Sequence, residues 1–392
     1  MSLSSRLHLY FLSLTLGVGL VCFSGVTMAG DAPSRYTKAE QAYIMDFETG
    51  MVLLNKNADQ KMPTSSMSKI MTMYMVFDAL DDGRITLEDT LQVSEKAWRK
   101  GGSKMFVEVG DKVKVEDLIR GVIVQSGNDA TIVFAEGLAA NEDKFAEIMT
   151  NKAEELGATN TNFVNASGWP EDNHYSTARD LAIIAKSIIE DFPEHYHYYQ
   201  EKEFTYNDIT QRNRNPLLYQ KIGADGIKTG HTEIAGFGLI GSGERDGRRV
   251  IMVLNGLDSM SERAKEGRRL LSWALRSFDN HSLFAKGETV TTVPVIMGTE
   301  KTVDLIVPED IKVTAPKGSE DKITVKALFD APLRAPIEKG QTLGQVTIKV
   351  PQTGTIKAPL QAANDVRELG FFYKTLAKAK LLIAGPPKIE SN

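Results

Sequence analysis

The residue pair best suited to chemistry is a serine followed three positions later by a lysine, Ser66 and Lys69. On a helix, residues three apart share a face, so the amine of Lys69 can reach the Ser66 hydroxyl and remove its proton. Pro63 and the apolar run that follows place Ser66 at a helix start, where free backbone N–H groups stabilise an oxyanion. The spacing therefore favours covalent acyl transfer, with Ser66 as nucleophile and Lys69 as general base. Ser65 precedes the pair but has no lysine three residues on.

This spacing is weak support on its own. Ser319 and Lys322 repeat it in a stretch bounded by proline and glycine, where we expect β structure and interpret the match as chance. A serine near a helix start is also most often a cap for the backbone. Further motifs are needed to choose between the two interpretations of Ser66.

Ser126 and Asn128, separated by one glycine, form a second motif between apolar residues 122–124 and a helical pattern over residues 129–138. The Ser126 hydroxyl can relay a proton to the leaving amine of a substrate. The Asn128 amide both donates and accepts, so it can bind Lys69 and the substrate backbone together. Taken alone, Ser-Gly-Asn is also typical of a turn or a helix cap.

Lys228, Thr229 and Gly230 form a third motif, which His231 follows. On a strand that borders a cleft, Lys228 and Thr229 would bind a substrate carboxylate, and Gly230 would let the substrate backbone approach closely. The backbone N–H of His231 would join that of Ser66 in an oxyanion hole. The alternative is a lysine at a strand end in water.

The order of the three motifs decides between these interpretations. Ser-x-Asn and Lys-Thr-Gly each occur once and follow the Ser-x-x-Lys pair in a fixed order, which independent coincidence explains poorly. This arrangement is the signature of penicillin-binding proteins and serine β-lactamases. The sequence resembles the low-molecular-mass D-alanyl-D-alanine carboxypeptidases, the penicillin-binding proteins of the five and six type.

The resemblance covers most of the chain and implies both a fold and an activity. The fold is α/β (α+β), with an antiparallel sheet flanked by helices and a helical subdomain, as in β-lactamases and transpeptidases, followed by a small all-β C-terminal domain. The activity is removal of the terminal D-alanine from peptidoglycan stem peptides ending in D-Ala-D-Ala, with β-lactams as covalent inhibitors. Arg263 would be a further carboxylate ligand. Beyond the three motifs, the resemblance rests on Asp46 with Thr49 and Gly50, on residues 102–106, 174–180, 225–236 and 332–340, and on the terminal helix.

Other functions use the same motifs. A D,D-endopeptidase carries all three. A β-lactamase of the class A kind adds Glu-x-x-Leu-Asn between the second and third motifs, which is absent here, so we expect slow release of penicillin. A catalytically silent peptidoglycan-binding scaffold is disfavoured by the intact Ser66, Lys69 and Lys228. Catalysis requires the pKa of Lys69 to fall from its usual value of about 10.4, and we expect burial and the nearby Lys228 to lower it.

Composition excludes other classes of function. The 392 residues carry a formal net charge of -5, which offers no basic surface for nucleic acid. The single cysteine, Cys22, lies in the N-terminal apolar run, so the mature chain would lack thiol chemistry. His195 and His197 have no companion ligands that would complete a metal site, and we expect neither a metal nor a cofactor.

Hydrophobic periodicity and turn residues predict the helices and strands that position the three motifs. The region after residue 281 changes character, from mixed helix and strand patterns to short β-branched runs. We predict strands over residues 42–47, 51–54, 233–244 and 248–257, the last two joined at Asp246-Gly247; helices over residues 70–80 and 261–278; and all-β structure over residues 290–350.

We predict four parts in the chain. Arg6 and His8 precede an apolar run followed by small residues, which is typical of a secretory signal peptide cut after Ala29; a retained membrane span is the alternative. The parts are a signal peptide (residues 1–29), a catalytic domain (30–281), a β-rich domain (282–367) and an amphipathic membrane-anchor helix with its tail (368–392).

The terminal helix would hold the protein on a membrane surface. Leu369, Phe372 and Leu376 recur at three-and-four spacing, and the lysines between them point elsewhere. Such a helix lies in the membrane interface; packing against the β-rich domain is the alternative. We therefore expect a periplasmic protein, peripheral on the outer face of the cytoplasmic membrane.

Overall fold

The computed structural model describes residues 37–384, which form two compact units. The first ends at Ser277 and the second begins at Phe278. The boundary predicted after residue 281 falls inside a strand, β10, of the second unit. The predicted signal peptide lies outside the described residues.

The first unit combines an antiparallel sheet with helices. Its strands are β1 (Gln41–Asp46), β2 (Val52–Lys56), β3 (Thr90–Gln92), β4 (Lys112–Lys114), β5 (Glu203–Tyr206), β6 (Ile209–Arg212), β7 (Ala224–Thr232), β8 (Gly236–Arg245) and β9 (Arg248–Leu257). Its helices are α1 (Lys69–Asp81), α2 (Glu95–Arg99), α3 (Val115–Ile123), α4 (Asn128–Ala139), α5 (Glu142–Glu155), α6 (Ala178–Asp191) and α7 (Met260–Arg276).

The central sheet has the strand order β2-β1-β9-β8-β7, and every neighbouring pair is antiparallel. Asp246 and Gly247 join β8 to β9 with φ angles of 53° and 78°. Two successive residues in the left-handed region match the hairpin turn that this dipeptide predicts. The predicted α/β (α+β) fold with an antiparallel sheet is confirmed. β7, which carries the third motif, lies at one edge of the sheet.

Helix α1 is the centre of the core, as its uniformly apolar sequence predicts. Ile70, Met71 and Met73 are all completely or almost completely buried, and they lie on different sides of the helix. Burying such a side chain contributes about 1.5–3 kcal/mol. Helices α3 to α6 pack around α1, and α1 also contacts β7. The first residue of this well-supported helix is Lys69.

A buried ion pair fixes the start of the sheet. Arg248 Nε lies 2.8 Å from Oδ2 of Asp46, which is completely buried at the end of β1. The other oxygen of Asp46 accepts the backbone N–H of Thr49 at 2.9 Å and its hydroxyl at 3.1 Å. Asp46 and Thr49 therefore build the turn between β1 and β2, which gives the Asp46–Gly50 pattern a structural role.

The second unit is β-rich, as predicted. Its largest sheet has the order β14-β16-β17-β12-β11-β15, and β10 pairs with β13 in a second sheet. Ser319 donates its hydroxyl to the backbone carbonyl of Pro316 at 2.6 Å, so the repeated Ser-x-x-Lys spacing marks a turn there. The strands are β10 (Phe278–Phe284), β11 (Thr289–Ile296), β12 (Thr302–Ile306), β13 (Ile311–Pro316), β14 (Thr324–Phe329), β15 (Leu333–Arg334), β16 (Thr342–Val350) and β17 (Gly354–Ala362).

Helix α8 (Phe371–Ala384) ends the described chain, starting three residues after the predicted beginning at 368. Phe371, Phe372 and Leu376 are largely exposed. Within residues 37–384, no helix is both long enough and apolar enough to cross a membrane.

Candidate active site

The nucleophile of the first motif lies in a short 3-10 turn, Ser65–Ser68, directly before α1. Lys69 Nζ lies 2.8 Å from Ser66 Oγ, so the structure brings the predicted pair together. The neighbouring Ser65 donates its hydroxyl to the side chain of Thr232 at 3.2 Å. Only one of the two adjacent serines is therefore within reach of the amine.

The amine of Lys69 is completely buried and has two further partners. They are Asn128 Oδ1 and the backbone carbonyl of Ser167, each at 2.7 Å. Burial lowers the pKa of Lys69 to about 7; the positive charges of Arg214 and Lys100 contribute to this, and Asp129 opposes it. Arg214 and Lys100 were not expected from the sequence; the expected repulsion between Lys69 and Lys228 is present as well, and it lowers the pKa of Lys228.

The two oxygens also orient the amine. A neutral amine has two N–H donors and one lone pair, and a carbonyl or amide oxygen can only accept. Asn128 Oδ1 and the Ser167 carbonyl take both donors, because the Asn128 Nδ2 donates elsewhere, to the Gly101 carbonyl at 2.8 Å. The lone pair of neutral Lys69 then faces the Ser66 hydroxyl, as a general base requires.

Sequence reasoning missed the loop that supplies the Ser167 carbonyl. Asn165 Oδ1 accepts three successive backbone N–H groups, of residues 167, 168 and 169, at 3.1, 2.9 and 3.0 Å. Gly168 has a φ of +79°, and a Cβ there would lie 1.7 Å from the Ser65 carbonyl oxygen. The loop therefore lies directly against the nucleophile turn, which only glycine permits. The signal in the sequence was Asn165 three residues before a glycine.

His174 joins the same loop to the nucleophile turn. Its Nδ1 accepts the backbone N–H of Val164 at 3.2 Å, so Nε2 carries the proton and donates to Ser68 Oγ at 2.8 Å. Burial, with repulsion from Lys69, lowers the pKa of His174 to about 4. Neutral His174 therefore links the loop that supplies the Ser167 carbonyl to the turn that carries Ser66. In the sequence, His174 belongs to a segment that resembles the family, but no role was predicted for it.

The second and third motifs meet on the other side of the cleft. Lys228 Nζ, which is buried on β7, donates to Ser126 Oγ at 2.9 Å. Burial, with repulsion from Lys69, Arg214 and Arg263, lowers the pKa of Lys228 well below its usual value. The alternative of a strand-end lysine in water is therefore wrong. Ser126 has a φ of 59°, an uncommon conformation for a serine.

Gly230 and His231 continue β7 past the nucleophile. A Cβ at Gly230 would lie 2.9 Å from the Thr64 carbonyl oxygen, so glycine lets the strand approach the turn closely. The imidazole of His231 stacks on Phe237 with ring centroids 3.9 Å apart. The ring therefore packs on the neighbouring strand, and the chemistry predicted for His231 uses only its backbone N–H.

A cleft of about 330 Å³ is lined by residues of all three motifs, among them Ser66, Ser126 and Gly230. Arg263, which is buried, donates to the Gly230 carbonyl at 3.3 Å, and burial lowers its pKa to about 10. Arg214, which no sequence motif marked, lies opposite and contacts the Ser103 hydroxyl. The described lining residues include no acidic side chain: Ser66, Ser103, Ser126, Arg214, Thr229, Gly230, His231, Phe237, Met260 and Arg263. Such a cleft suits an anionic ligand.

Known proteins match both the sequence and the fold of this chain. A family model described as D-alanyl-D-alanine carboxypeptidase matches residues 27–259. The chain belongs to this family of serine peptidases. A second model, described as the C-terminal domain of penicillin-binding protein 5, matches residues 278–368. The resemblance inferred from the sequence is therefore confirmed.

Three relatives of the family illustrate the match. The D-alanyl-D-alanine carboxypeptidase DacA of Haemophilus influenzae is 39% identical over 351 residues, which cover 88% of this chain and 89% of the relative. Penicillin-binding protein 5 of H. influenzae has a TM-score of 0.77 at 38% identity, covering 86% of this chain and 100% of that one. Penicillin-binding protein D2 of Listeria monocytogenes, solved in its ampicillin-bound form, has a TM-score of 0.56 at 30% identity, covering 61% and 98%.

The buried position of Lys69 predicts the pH dependence of acylation. Only neutral Lys69 can accept the Ser66 proton, and its pKa is lowered to about 7. The rate constant for acylation by a fluorescent penicillin should therefore fall about tenfold per unit as the pH drops below 7. Stopped-flow measurements over about pH 5–9 give this profile.

Two variants assign the acid limb of that profile. Lys69→Met should remove pH-dependent acylation altogether. Lys228→Met should slow acylation but retain an acid limb, because Lys69 is still present and burial is the main cause of its lowered pKa. A limb that persists in the Lys69 variant, or vanishes only in the Lys228 variant, would assign the base elsewhere.

Proposed function

We propose that this protein is a serine-type D-Ala-D-Ala carboxypeptidase that removes the terminal D-alanine from peptidoglycan stem pentapeptides through an acyl-enzyme on Ser66. The observation that carries the proposal is the geometry at Lys69. Its amine lies 2.8 Å from the Ser66 hydroxyl, and its other two partners can only accept hydrogen bonds. The arrangement supports a lysine that removes the nucleophile's proton.

Acylation begins when Ser66 Oγ attacks the carbonyl carbon between the two D-alanines and passes its proton to Lys69. The carbonyl electron pair moves onto oxygen, and the backbone N–H groups of Ser66 and His231 hold this oxyanion. When the C–N bond breaks, Ser126 gives its proton to the departing amine. Lys228, which is 2.9 Å from the Ser126 hydroxyl, replaces that proton. The acyl group remains as an ester on Ser66.

The two lysines share a single positive charge through this cycle. Lys69 lowers the pKa of Lys228, since two buried ammonium groups repel each other. Acylation charges Lys69 and neutralises Lys228. Hydrolysis reverses the transfer: Lys228 takes a proton from the attacking water through Ser126, and Lys69 returns its proton to Ser66 Oγ. The pair supplies a base for deacylation, which no sequence motif had indicated.

The cations of the cleft bind the substrate's terminal carboxylate. Arg214 and Arg263 face the cleft with Thr229, and the described lining residues carry no competing acid. A carboxylate entering beside Lys228 raises the pKa of this lysine again, because opposite charges favour the ammonium form. Substrate binding thus charges Lys228 for its role as proton donor to Ser126.

The same step would acylate the enzyme with β-lactams, whose ring amide and carboxylate occupy the positions of the peptide bond and terminus. The ampicillin-bound form of L. monocytogenes penicillin-binding protein D2 supports this. Release should be slow, because the chain lacks the Glu-x-x-Leu-Asn element of class A β-lactamases. The buried carboxylate of Asp129, whose charge acts on Lys69, accepts the backbone N–H groups of Met105 and Phe106 at 2.8 and 2.9 Å, so it is committed to structure.

Replacing the nucleophile tests the proposed function. Ser66→Ala should abolish both labelling by a fluorescent penicillin and D-alanine release from a pentapeptide, because no other serine is activated by Lys69. Lys228→Ala should lower kcat/KM by about 10²-fold, because it removes both the proton donor to Ser126 and a cation that attracts the substrate carboxylate. Gel fluorescence and an amino-acid oxidase assay measure the two activities.

Two serines of the chain serve as matched controls. Ser65→Ala removes the adjacent hydroxyl, and Ser319→Ala removes the one that repeats the Ser-x-x-Lys spacing. Both variants should retain labelling. Labelling that persists in Ser66→Ala but disappears in Ser65→Ala would move the nucleophile by one residue. Analysis of products from a pentapeptide and a cross-linked dimer separates carboxypeptidase from endopeptidase activity.

We also propose that the protein is exported and lies on the outer face of the cytoplasmic membrane. The pattern over residues 1–29 is that of a signal peptide. Helix α8 supports surface attachment, because Phe371, Phe372 and Leu376 expose between 71% and 86% of their area. Such apolar side chains gain stability in a lipid interface.

Removal of the terminal helix tests this attachment. A chain ending at Asp365 should no longer sediment with vesicles containing anionic lipid, because it lacks the exposed apolar side chains. It should still release D-alanine, since the catalytic residues all lie in the first unit. Phe371→Ser with Phe372→Ser in the full chain should weaken sedimentation similarly. Unchanged sedimentation of both variants would contradict attachment through α8.

A further inference from the structure

Trp169 lies two residues after Ser167, whose carbonyl binds the catalytic lysine, and it has no role in the mechanism above. Trp169 follows Gly168, the residue pressed against the nucleophile turn, and 41% of its area is exposed. Asn165 accepts its backbone N–H at 3.0 Å and donates to its carbonyl at 2.9 Å. The backbone of this exposed ring is therefore held in place. A large apolar side chain that is rigid and exposed next to a reactive site is typical of a binding surface.

The ring of Trp169 is close to a residue of the second motif. A Cβ at Gly102 would lie 2.8 Å from Asn128 Nδ2 and 3.1 Å from Cζ3 of Trp169. The Asn128 amide and the tryptophan ring thus flank the same glycine. Since Asn128 also binds Lys69, the ring is two contacts away from the general base.

A cation without a carboxylate partner completes this surface. Lys100 Nζ lies 4.9 Å from the centre of the Trp169 ring, and within residues 37–384 it forms no ion pair. Lys100 also lowers the pKa of Lys69, so its charge acts at the active site. The neighbouring Arg99, in contrast, is paired with Glu95 at 2.6 Å.

We infer that Lys100 and Trp169 form a subsite for the acyl-donor part of the substrate and favour a side chain that ends in a carboxylate. This inference rests on the proposed function. The two groups on the scissile carbonyl point in different directions, and the leaving D-alanine occupies the cleft between Arg214 and Arg263. Trp169 does not line that cleft. The donor chain therefore passes on the side of Asn128, where the ring supports its apolar part and Lys100 attracts its acid.

Two matched peptides test the subsite. Both end in D-Ala-D-Ala, and their preceding residue carries a side chain ending in a carboxylate in one and in the isosteric carboxamide in the other. The enzyme should prefer the acid by about two- to fivefold in kcat/KM, as for a partly exposed ion pair. Lys100→Gln should remove the preference, and about 0.5 M salt should reduce it. Trp169→Leu should raise KM for both peptides and leave kcat nearly unchanged.

The controls separate the subsite from the catalytic machinery. Arg99→Gln removes the same charge one residue away and should keep the preference for the acid. Rates are compared above about pH 8, because Lys100→Gln also raises the pKa of Lys69. 6-Aminopenicillanic acid, which lacks a donor chain, should label every variant at a similar rate. Loss of labelling by 6-aminopenicillanic acid would count against the proposed function. A preference for the acidic peptide that survives in Lys100→Gln would overturn the subsite alone.

Discussion

The catalytic residues are arranged around one amine that is buried without a carboxylate partner. Lys69 is completely inaccessible, and its nearest oxygens belong to an amide side chain and a backbone carbonyl. These dipoles satisfy the N–H groups but do not balance a full charge, so burial lowers the pKa to about 7. A carboxylate in either place would favour the ammonium form and would keep the proton on Lys69. Neutral oxygen partners therefore leave Lys69 available as a base.

Four separate segments must meet for this arrangement to form. Helix α1 brings Lys69 into the core of the first unit, and the turn before it carries Ser66. Helix α4 begins at Asn128, the loop before α6 supplies the Ser167 carbonyl, and Lys228 lies on β7. The close contacts of Gly168 and Gly230 with the nucleophile turn show how tightly these segments fit. The C-terminal β-rich unit contributes none of these groups.

The parts of this arrangement that could be predicted from the sequence are those with a local signature. Three short motifs identified the reactive side chains, and alternation or uniform apolarity located β1, β9 and α1. What escaped prediction depends on contacts distant in the chain or on the backbone. The Ser167 carbonyl has no side-chain signature, and His174 and Arg214 gain their importance only from neighbours that folding supplies. The contributions of Arg214 and Lys100 to the pKa of Lys69 escaped prediction for the same reason.

The protonation state of Lys69 in the folded protein decides whether this lysine can act as the base. NMR of protein labelled with ¹³C at the lysine Cε position reports the charge of each amine, and Lys69→Arg assigns the signal by its disappearance. We predict a titration midpoint at about 7 for Lys69. A midpoint above about 9, close to that of an ordinary lysine, would show that Lys69 keeps its proton and that the proposed base is not available.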